Sequence, residues 1–334
     1  MTAPLLEVTD LHKHYPVRGG IFGRTQAMVR AVAGVSLQVM PGQTLGLVGE
    51  SGCGKSTLGR TLMRLEEPTH GSVRFDGQDL AHARGAELFR LRREIQMVFQ
   101  DPYSSINPRM TVGEIVREPL LVHRIGNKAE QVERVRQLLQ TVGLAGDMGS
   151  RYPNEFSGGQ RQRIGVARAL ALDPRLVIAD EPVSALDVSV QSQVLNLMVR
   201  LQKERGLSYV FISHDLSVVQ HVSDVVAIMY LGRIVETGPV DRIFDHPAHP
   251  YTRALMQAIP SVNPRQRREQ LPLQGETPSP TDAPPGCAFS SRCPHVTDEC
   301  RQAPPALVPV GPANEGPGRG HQVACIRVDQ IGRA

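Results

Sequence analysis

The stretch Gly49-Glu50-Ser51-Gly52-Cys53-Gly54-Lys55-Ser56 decides the fold of this chain. It matches the pattern Gly-x-x-x-x-Gly-Lys-Ser/Thr without a mismatch. The apolar residues 44–48 before it predict a short buried strand, and residues 56–65 after it predict a helix. A glycine loop between a strand and a helix is the context in which this pattern binds phosphate. The alternative is a glycine-rich turn that matches by chance, and both flanks argue against it.

The residue types in this loop suit a triphosphate with its magnesium ion. Glycines allow successive backbone N–H groups to turn inward around a phosphate, because there is no Cβ to clash. The N-terminus of the following helix adds partial positive charge at the same point. Lys55 can then reach the outer phosphates and the Ser56 hydroxyl can ligate Mg²⁺. We expect phosphate contacts throughout the loop and as far as Thr57.

Composition and charge exclude several classes of protein. The chain of 334 residues has room for about two domains, and 40% apolar and 21% charged residues are ordinary for a globular protein. A net charge of +4 gives no argument for nucleic acid. No apolar run reaches the roughly 18 residues of a membrane span, and the N-terminus has no secretory signal. We therefore expect a cytoplasmic protein whose thiols stay reduced.

Further strands are predicted around the loop. Residues 5–10 and 29–39 alternate or run apolar between Pro and Gly residues, with a Gly-rich insertion between them. Tyr15 precedes this insertion; it could stack on a nucleotide base or be a half-buried tyrosine at a strand end, and the local sequence favours neither. Residues 95–99 predict another strand, which places the amide of Gln100 at a carboxyl end, where α/β sheets hold ligands.

The segment from about 103 to 164 changes character and predicts a helical insert. Within it, residues 129–142 place Val132, Val135, Leu138, Leu139 and Val142 on one apolar helix face. The insert ends on the stretch Ser157-Gly158-Gly159-Gln160, which enters a further helix. Such an entry can bind an anion through a capping hydroxyl and free N–H groups. Taken alone, it is more often an ordinary N-cap.

Two acids end the next predicted strand. Residues 175–182 predict a fully buried strand, in which a four-residue apolar run leads into Asp180 and Glu181. A carboxylate there can hold Mg²⁺, and the next one can polarise an attacking water. A turn follows at 184–187. A last buried strand is predicted at 209–215, with His214 just beyond its apolar run; a lone histidine there would usually be structural.

The order and spacing of these motifs resemble the ATP-binding cassette ATPases over about residues 5–260. The resemblance implies an α/β fold: a RecA-like phosphate-loop core, an antiparallel β subdomain and a helical insert. It also implies a role for each motif. Tyr15 would stack on adenine, Gln100 would link Mg²⁺ and water to the membrane partner, Asp180 would associate with Mg²⁺ and Glu181 would be the catalytic base. Ser157, Gly158, Gly159 and Gln160 would contact the γ-phosphate held by the opposing subunit, Asp187 would lie in the dimer contact, and His214 would be the γ-phosphate switch. One departure is Phe156, where Leu is common; because it remains apolar, we expect its packing to be kept.

The resemblance further implies that one chain cannot complete the site. The γ-phosphate is covered only when a second cassette adds its Ser-Gly-Gly helix end, so ATP joins two cassettes and hydrolysis releases them. With no membrane segment of its own, the chain would pass this motion to two separate permease subunits. We therefore expect it at the cytoplasmic face of the inner membrane, held there by the permeases.

Longer stretches are similar to one branch of the family, the oligopeptide/dipeptide importers. They are residues 44–60, 99–109 and 181–191. These importers use two different ATPase subunits, and the sequence is closer to that of the second ("F-type") one. Such importers also work with an extracytoplasmic peptide-binding protein. Nickel, glutathione or a glycan remain alternative cargoes, because the ATPase does not touch cargo. A soluble ATPase of DNA maintenance is the alternative of another class, but the insert is too short for the coiled coil that those proteins need.

The tail, residues 261–334, is predicted to be a separate extension beyond a nucleotide-binding domain at 1–260. Because 15 of the 26 prolines fall at 247–334, we expect turns and extended segments there, not helices. Four cysteines lie in it, Cys287, Cys293, Cys300 and Cys325, whereas Cys53 is expected to be a small neutral filler. Four reduced thiols suit Zn²⁺ or an iron–sulfur cluster, and free thiols are the third possibility. The resemblance around residues 286–294 implies a 4Fe–4S cluster.

Overall fold

The computed structural model describes residues 3–19, 24–101, 105–258, 275, 277–279, 281–311 and 320–331. The chain divides into two compact units. The first consists of Met1–Met40, Thr44–Ala81 and His214–Ala334, and the second of Pro41–Gln43 and His82–Ser213. None of the helices in the described ranges is both long and apolar enough to cross a membrane.

The described residues form twelve strands. They are β1 (Leu6–Gly19), β2 (Arg24–Val39), β3 (Thr44–Val48), β4 (His70–Phe75), β5 (Gln78–Asp79), β6 (Ile95–Val98), β7 (Leu176–Asp180), β8 (Ser208–Ser213), β9 (Val225–Tyr230), β10 (Arg233–Pro239), β11 (Val308–Pro309) and β12 (Gln322–Val323). The strands predicted at 44–48, 95–99, 175–182 and 209–215 are all present, to within a few residues at each end.

The α-helices include the one predicted after the phosphate loop. They are α1 (Lys55–Leu62), α2 (Gly85–Glu94), α3 (Val112–Val122), α4 (Lys128–Thr141), α5 (Gly158–Ala169), α6 (Val188–Arg205), α7 (Leu216–Val222), α8 (Val240–Asp245), α9 (Pro250–Gln257) and α10 (Val328–Ile331). This mixture confirms the predicted α/β class.

An antiparallel sheet in the first unit has the order β2-β1-β4-β5. β1 continues to Gly19, well past the strand end predicted at residue 10, and pairs with β2 along its whole length. Shifts of register between Val8 and Leu11 accommodate Asp10, whose φ is 46°. The local pattern breaks at such a bulge, but the cross-strand hydrogen bonds continue beyond it, so the predicted strand was too short.

A second group of strands in the first unit places the phosphate loop. Its order is β11-β12-β10-β9-β3, in which β3 pairs with β9 in parallel and β9 with β10 antiparallel. Every residue of β3 and β9 is buried. Uniform burial explains why both strands have continuous apolar sequences. The phosphate loop begins directly where β3 ends.

The second unit contains three parallel strands in the order β8-β7-β6, together with the helices of the predicted insert. Two of these helices begin at capping boxes, Thr111 with Glu114 for α3 and Asn127 with Glu130 for α4. A capping box satisfies backbone donors that a helix leaves unpaired at its start. The beginning of the insert, predicted near 103, falls among residues that the structure does not describe.

Helix α4 has the predicted apolar face, with one correction. Val135, Leu138, Leu139 and Val142 are buried, but Val132 is exposed. The buried face contains Gln131 instead, whose Nε2 donates to the carbonyl of Ile125 at 2.9 Å. Val132 stands at the edge of the stripe, so the rotation of the helix leaves it in solvent.

Among the described residues of the proline-rich stretch 247–334, helix α9 lies before the tail and helix α10 within it. The expectation of turns and extended segments without helices was therefore wrong. Helix α9 starts at Pro250. The N–H at the first position of a helix has no partner within the helix, so proline, which lacks it, is tolerated there. His249 Nδ1 accepts the N–H of Tyr251. β12 then pairs with β10, bringing Val323 beside Glu236. The predicted domain boundary at 260 falls outside the described residues and stays a prediction.

A fully buried carboxylate fastens this part of the chain to the sheet. Glu236, on β10, is 0% exposed and accepts the N–H groups of Ala248 at 2.7 Å and His249 at 2.9 Å. Its Oε1 is also 2.7 Å from Nε2 of His321. A buried charge of this kind is tolerated because each oxygen has hydrogen-bond partners.

Replacing Glu236 by alanine should therefore lower the free energy of unfolding by about 3–5 kcal/mol, because buried donors lose their acceptor. Glu236→Gln keeps one acceptor oxygen and should cost less, about 1–2 kcal/mol. Urea unfolding followed by circular dichroism measures both values. Glu204→Ala, on the exposed end of α6, is the control. A loss in Glu236→Ala no larger than in this control would contradict the assigned role.

Candidate functional site

The phosphate loop depends on glycines for steric reasons. Gly52 and Gly54 have φ angles of 77° and 106°, in the left-handed region that side chains disfavour. A Cβ on Gly49 would lie 2.1 Å from the carbonyl oxygen of Met229, and one on Gly54 would lie 2.0 Å from that of Ala31. Both carbonyls belong to the backbone and cannot move aside cheaply. The glycine pattern is thus required by packing as well as by phosphate chemistry.

Lys55 lies inside the loop at the first position of α1. It is 4% exposed, and its ammonium donates to the carbonyls of Gly49 at 2.8 Å and Glu50 at 3.0 Å. Ser56 is half-buried at the next position. The loop therefore wraps around its own cation, which stands at a helix N-terminus where anions are favoured.

Cys53 is a buried filler, as predicted. Its Sγ is 3.9 Å from the ammonium of Lys55, and its backbone carbonyl accepts the N–H of Gly232 at 2.8 Å. Burial raises the pKa of the Cys53 thiol, although the nearby Lys55 opposes this. A neutral thiol at this position adds no charge to the loop.

Tyr15 and His214 belong to the first unit. Tyr15 is half-buried within β1, not at a strand end, and pairs with Val29. Its hydroxyl bonds to the carboxylate of Glu66, and the ammonium of Lys13 is 4.8 Å from the ring centroid. His214 is exposed and precedes Asp215, the N-cap of α7. The proposed nucleotide roles of both residues stay predictions.

The second unit brings two predicted residues into direct contact. Asp180 ends β7 and is 2% exposed, whereas Glu181 is half-buried with a φ of 46°. The Nε2 of Gln100 donates to Oε2 of Glu181 at 2.9 Å. A left-handed backbone is costly for glutamate and persists where the surroundings demand it. This geometry holds the Glu181 carboxylate at the same edge of the sheet as the Gln100 amide.

The Ser157 segment forms a capping box at the start of α5. Ser157 Oγ accepts the N–H of Gln160, whose Oε1 accepts the N–H of Ser157 at 2.9 Å. A Cβ on Gly159 would lie 2.1 Å from Val190 Cγ1, while Gly158 meets nothing closer than 3.4 Å. The N-cap geometry is therefore present, together with a helix N-terminus that can face an anion.

The residue before Ser157 and the residues at the start of α6 differ in their exposure. Phe156, the departure from the family pattern, is buried as expected. Asp187 is exposed at the N-cap of α6 and makes no side-chain capping bond. The next residue, Val188, is 79% exposed, which places an apolar side chain in solvent beside the acid.

Two residues of the later chain that the sequence did not single out contact the phosphate loop. The N–H of Glu50 donates to the hydroxyl of Tyr251 at 3.0 Å, and Arg292 Nη1 lies 2.9 Å from Glu50 Oε2. Both are more than 200 residues away along the sequence. The family-like sequence around 286–294 includes Arg292, but no local pattern there indicates that it contacts the phosphate loop.

The four tail cysteines line one cavity, together with other residues of the first unit. The chain order is Cys287, Cys293, Cys300 and Cys325, and the N–H of Cys287 donates to the carbonyl of Cys300 at 2.7 Å. They are free cysteines. Burial, with the neighbouring cysteines adding to it, raises the pKa of the Cys287 thiol to about 11.

The arrangement of the thiols falls short of a formed metal site. Within the described parts of the chain, no group of three or more His, Cys, Asp or Glu side chains is placed to hold a metal ion. Burial also raises the pKa values of Cys293 and Cys325. The cavity thus gathers the four residues that the sequence analysis grouped, and burial disfavours the thiolate form of Cys287, Cys293 and Cys325.

Two family models match the chain. The ABC transporter model matches residues 32–184, and the model of the C-terminal region of oligopeptide/dipeptide transporters matches residues 235–300. The first match includes the phosphate loop and ends beyond Asp180 and Glu181. The second includes Glu236 and three of the four tail cysteines.

Characterised relatives are similar over nearly the full chain. The dipeptide transport ATP-binding protein DppF of Escherichia coli is 54% identical over 328 residues, covering 98% of this chain and 95% of DppF. The oligopeptide transport ATP-binding protein AppF of Bacillus subtilis is 50% identical over 324 residues, covering 96% of each chain.

A solved structure supports the fold. The ATP-binding cassette MJ0796, in a dimeric post-hydrolysis state with ADP and Pi, is 28% identical, has a TM-score of 0.63, and covers 70% of this chain and 98% of its own. Sequence matches, relatives and fold agree, and the chain belongs to the ABC ATPases, among the ATP-binding subunits related to peptide transporters.

Proposed function

We propose that this chain is the motor subunit of a peptide importer, coupling ATP hydrolysis to the uptake of dipeptides or oligopeptides. The single observation that carries this is the 54% identity to a dipeptide transport ATP-binding protein along 98% of the chain. The match to the C-terminal region of oligopeptide/dipeptide transporters supports it. Nickel, glutathione or a glycan remain the alternative cargoes, since the ATPase subunit makes no contact with cargo.

For ATP binding, we assign the triphosphate to the loop from Gly49 to Thr57 and the adenine to Tyr15. Lys55 already donates to loop carbonyls, and phosphate oxygens are stronger acceptors for an ammonium. When ATP binds, the Lys55 ammonium would donate to phosphate oxygens in place of the carbonyls of Gly49 and Glu50, and the loop would stay closed around the phosphates. Ser56, Gln100 and Asp180 are the oxygen ligands assigned to Mg²⁺, a cation that prefers such donors.

For hydrolysis, Glu181 is the assigned general base. A base must hold its lone pair toward the water that it activates. The hydrogen bond from Gln100 and the left-handed backbone of Glu181 both support a fixed carboxylate orientation. His214 is assigned to the γ-phosphate of the same nucleotide.

Changing Glu181 to glutamine should retain ATP binding but lower hydrolysis by about 100-fold or more, because the amide cannot accept the proton. The cassette pair should then stay closed with ATP bound. Phosphate release and size-exclusion chromatography with the partner subunit measure the two effects, and Glu204→Gln is the control. Undiminished hydrolysis would contradict the assignment of the base.

For assembly, we propose that this chain pairs with a second ABC ATPase subunit and two permease subunits. The exposed Asp187 and Val188, and the helix N-terminus at Ser157, are features suited to a partner cassette. The permeases would hold the chain at the cytoplasmic face of the inner membrane. An extracytoplasmic peptide-binding protein would act at the other side, without touching this chain.

For domain organisation, we propose a nucleotide-binding domain at 1–260 with a helical subdomain at about 103–164. The tail at 261–334 is then an extension of it. The helices α3 and α4 and the start of α5 support the helical subdomain.

Cells in which this chain is the sole source of the subunit should take up labelled dipeptides, and Lys55→Ala should abolish the uptake. The reason is that loss of the ammonium weakens triphosphate binding. Uptake of radiolabelled dipeptide is the measurement, with labelled nickel and glutathione tested as the alternative cargoes. Lys203→Ala, at the exposed end of α6, is the matched control. Dipeptide uptake that persists in Lys55→Ala cells would refute the proposal.

For the tail, we propose that Cys287, Cys293, Cys300 and Cys325 hold a 4Fe–4S cluster. Their side chains line one cavity, and four thiolates are the usual ligand set of such a cluster. When bound, the cluster would supply a crosslink for a segment with little core of its own.

Anaerobically purified protein should then be brown, with about four iron and four sulfide per chain. Cys300→Ser should lose most of the iron, because one of four ligands is gone. Cys53→Ser is the matched control, since Cys53 lies in the phosphate loop, and it should keep its iron. A colourless protein with stoichiometric zinc would instead show a zinc site and rule the cluster out.

A further inference from the structure

A carboxylate in a phosphate-binding loop requires an explanation. Glu50 is the second residue of the loop, and its charge has the same sign as the triphosphate that the loop is assigned to bind. Like charges this close repel each other, strongly where water is partly excluded. The side chain of Glu50 is 23% exposed, so solvent screens it only in part. The charge therefore needs a compensating partner.

Arg292 is that partner. Its Nη1 lies 2.9 Å from Oε2 and 3.1 Å from Oε1 of Glu50, so one guanidinium nitrogen bridges both oxygens. The arginine side chain is 6% exposed. Thr277 Oγ1 also donates to Oε2 of Glu50, at 2.6 Å. Both donors belong to the tail, so the carboxylate is bound from that side.

The position of Arg292 is fixed by an aromatic cluster. Tyr230, Tyr251 and Phe289 are fully buried, and their ring centroids lie 4.6–5.4 Å apart. The guanidinium carbon of Arg292 is 5.9 Å from the Tyr230 ring centroid, within the range of a cation–π contact. A guanidinium is always charged in proteins, so these contacts hold a positive charge beside Glu50.

The same segment carries the cysteines. Phe289 and Arg292 lie between Cys287 and Cys293, and we call residues 287–293 the cysteine loop. Within it, the N–H of Arg292 donates to the carbonyl of Phe289 at 3.0 Å, and that of Ser290 to the carbonyl of Cys287 at 3.0 Å. These turns couple the arginine to the cysteine positions. Four residues of this loop, Cys287, Phe289, Ser290 and Cys293, line the cavity that all four tail cysteines share.

We propose that Arg292 is a positioning residue for ATP binding: it neutralises Glu50 and ties the cysteine loop to the phosphate loop. The inference rests on the proposed triphosphate role of the phosphate loop, and it does not depend on which metal the cysteines bind. In this arrangement Glu50 serves as the attachment point for the tail, and Arg292 removes the repulsion that such an attachment would cause.

The coupling between nucleotide binding and the cysteine loop acts in both directions. If ordering the cysteine loop favours nucleotide binding, nucleotide binding must favour the ordered cysteine loop by the same factor. The coupling runs through a salt bridge and a packed aromatic cluster, which are contiguous contacts in the first unit. ATP should therefore protect the cysteines, although they lie outside the phosphate loop.

The first test is a double-mutant cycle on the full chain with a fluorescent ATP analogue and Mg²⁺. Arg292→Met should raise the Kd about tenfold, because Glu50 is left unneutralised beside the phosphates, and Arg292→Lys should recover part of the loss. In a chain that also carries Glu50→Gln, Arg292→Met should change the Kd very little, because no negative charge remains at residue 50 for Arg292 to compensate. Arg301→Met, an exposed arginine of the same tail, is the matched control.

This cycle separates positioning from a merely structural role. A loss from Arg292→Met that is equal with and without the Glu50→Gln substitution would overturn the electrostatic role, whatever the stability of the variants. An unchanged Kd in Arg292→Met would overturn it as well. A wild-type chain that fails to bind the analogue would instead contradict the proposed function itself.

The second test uses iodoacetamide labelling of the four tail cysteines, followed by mass spectrometry. The full chain is first stripped of bound metal with a chelator under reducing conditions, because a metal-bound thiolate is not alkylated. In the wild-type protein, MgATP should slow the labelling about threefold, and in Arg292→Met this protection should disappear. Labelling of Cys53 is followed separately, because that thiol lies in the phosphate loop itself. Wild-type labelling rates that are the same with and without MgATP would overturn the coupling between the two loops.

Discussion

The close approach of backbone segments at the phosphate loop is the constraint on which the rest of the first unit depends. Gly49 and Gly54 lie against the carbonyl groups of Met229 and Ala31, with no room for a methyl group. The loop is thereby held by β2 on one side and β9 on the other. This packing fixes the direction of its N–H groups before any phosphate arrives, and preorganisation reduces the cost of binding.

The later part of the chain contributes to the same constraint. The Tyr251 hydroxyl accepts the N–H of Glu50, and Arg292 holds its side chain. Glu236 in turn binds the backbone at Ala248 and His249 through a fully buried carboxylate. These contacts are polar and buried, so they are strong only when complete. A segment rich in proline, with little apolar core, is in this way made part of the first unit.

The second unit shows a different solution to the same problem of placing a charged group. Asp180 and Glu181 follow one another, but Asp180 is buried at the strand end while Glu181 turns out through a left-handed backbone. Gln100 then holds the Glu181 carboxylate. The backbone therefore gives two adjacent acids different environments, as the separate metal and proton-transfer roles proposed for them require.

The sequence by itself determined the phosphate loop, the buried strands β3, β7 and β8, and the pair Asp180 and Glu181 at the end of β7. These features depend on local spacing and apolar runs. It also grouped the four tail cysteines. It did not reveal the continuation of β1 past Asp10, the burial of Gln131 in place of Val132, or the helix α9. Only the tertiary structure decided that Arg292 meets Glu50, since a contact across 242 residues leaves no local pattern in either stretch. The physical reason is that periodicity records which side of an element is buried, whereas the identity of a distant partner is set by how the elements pack.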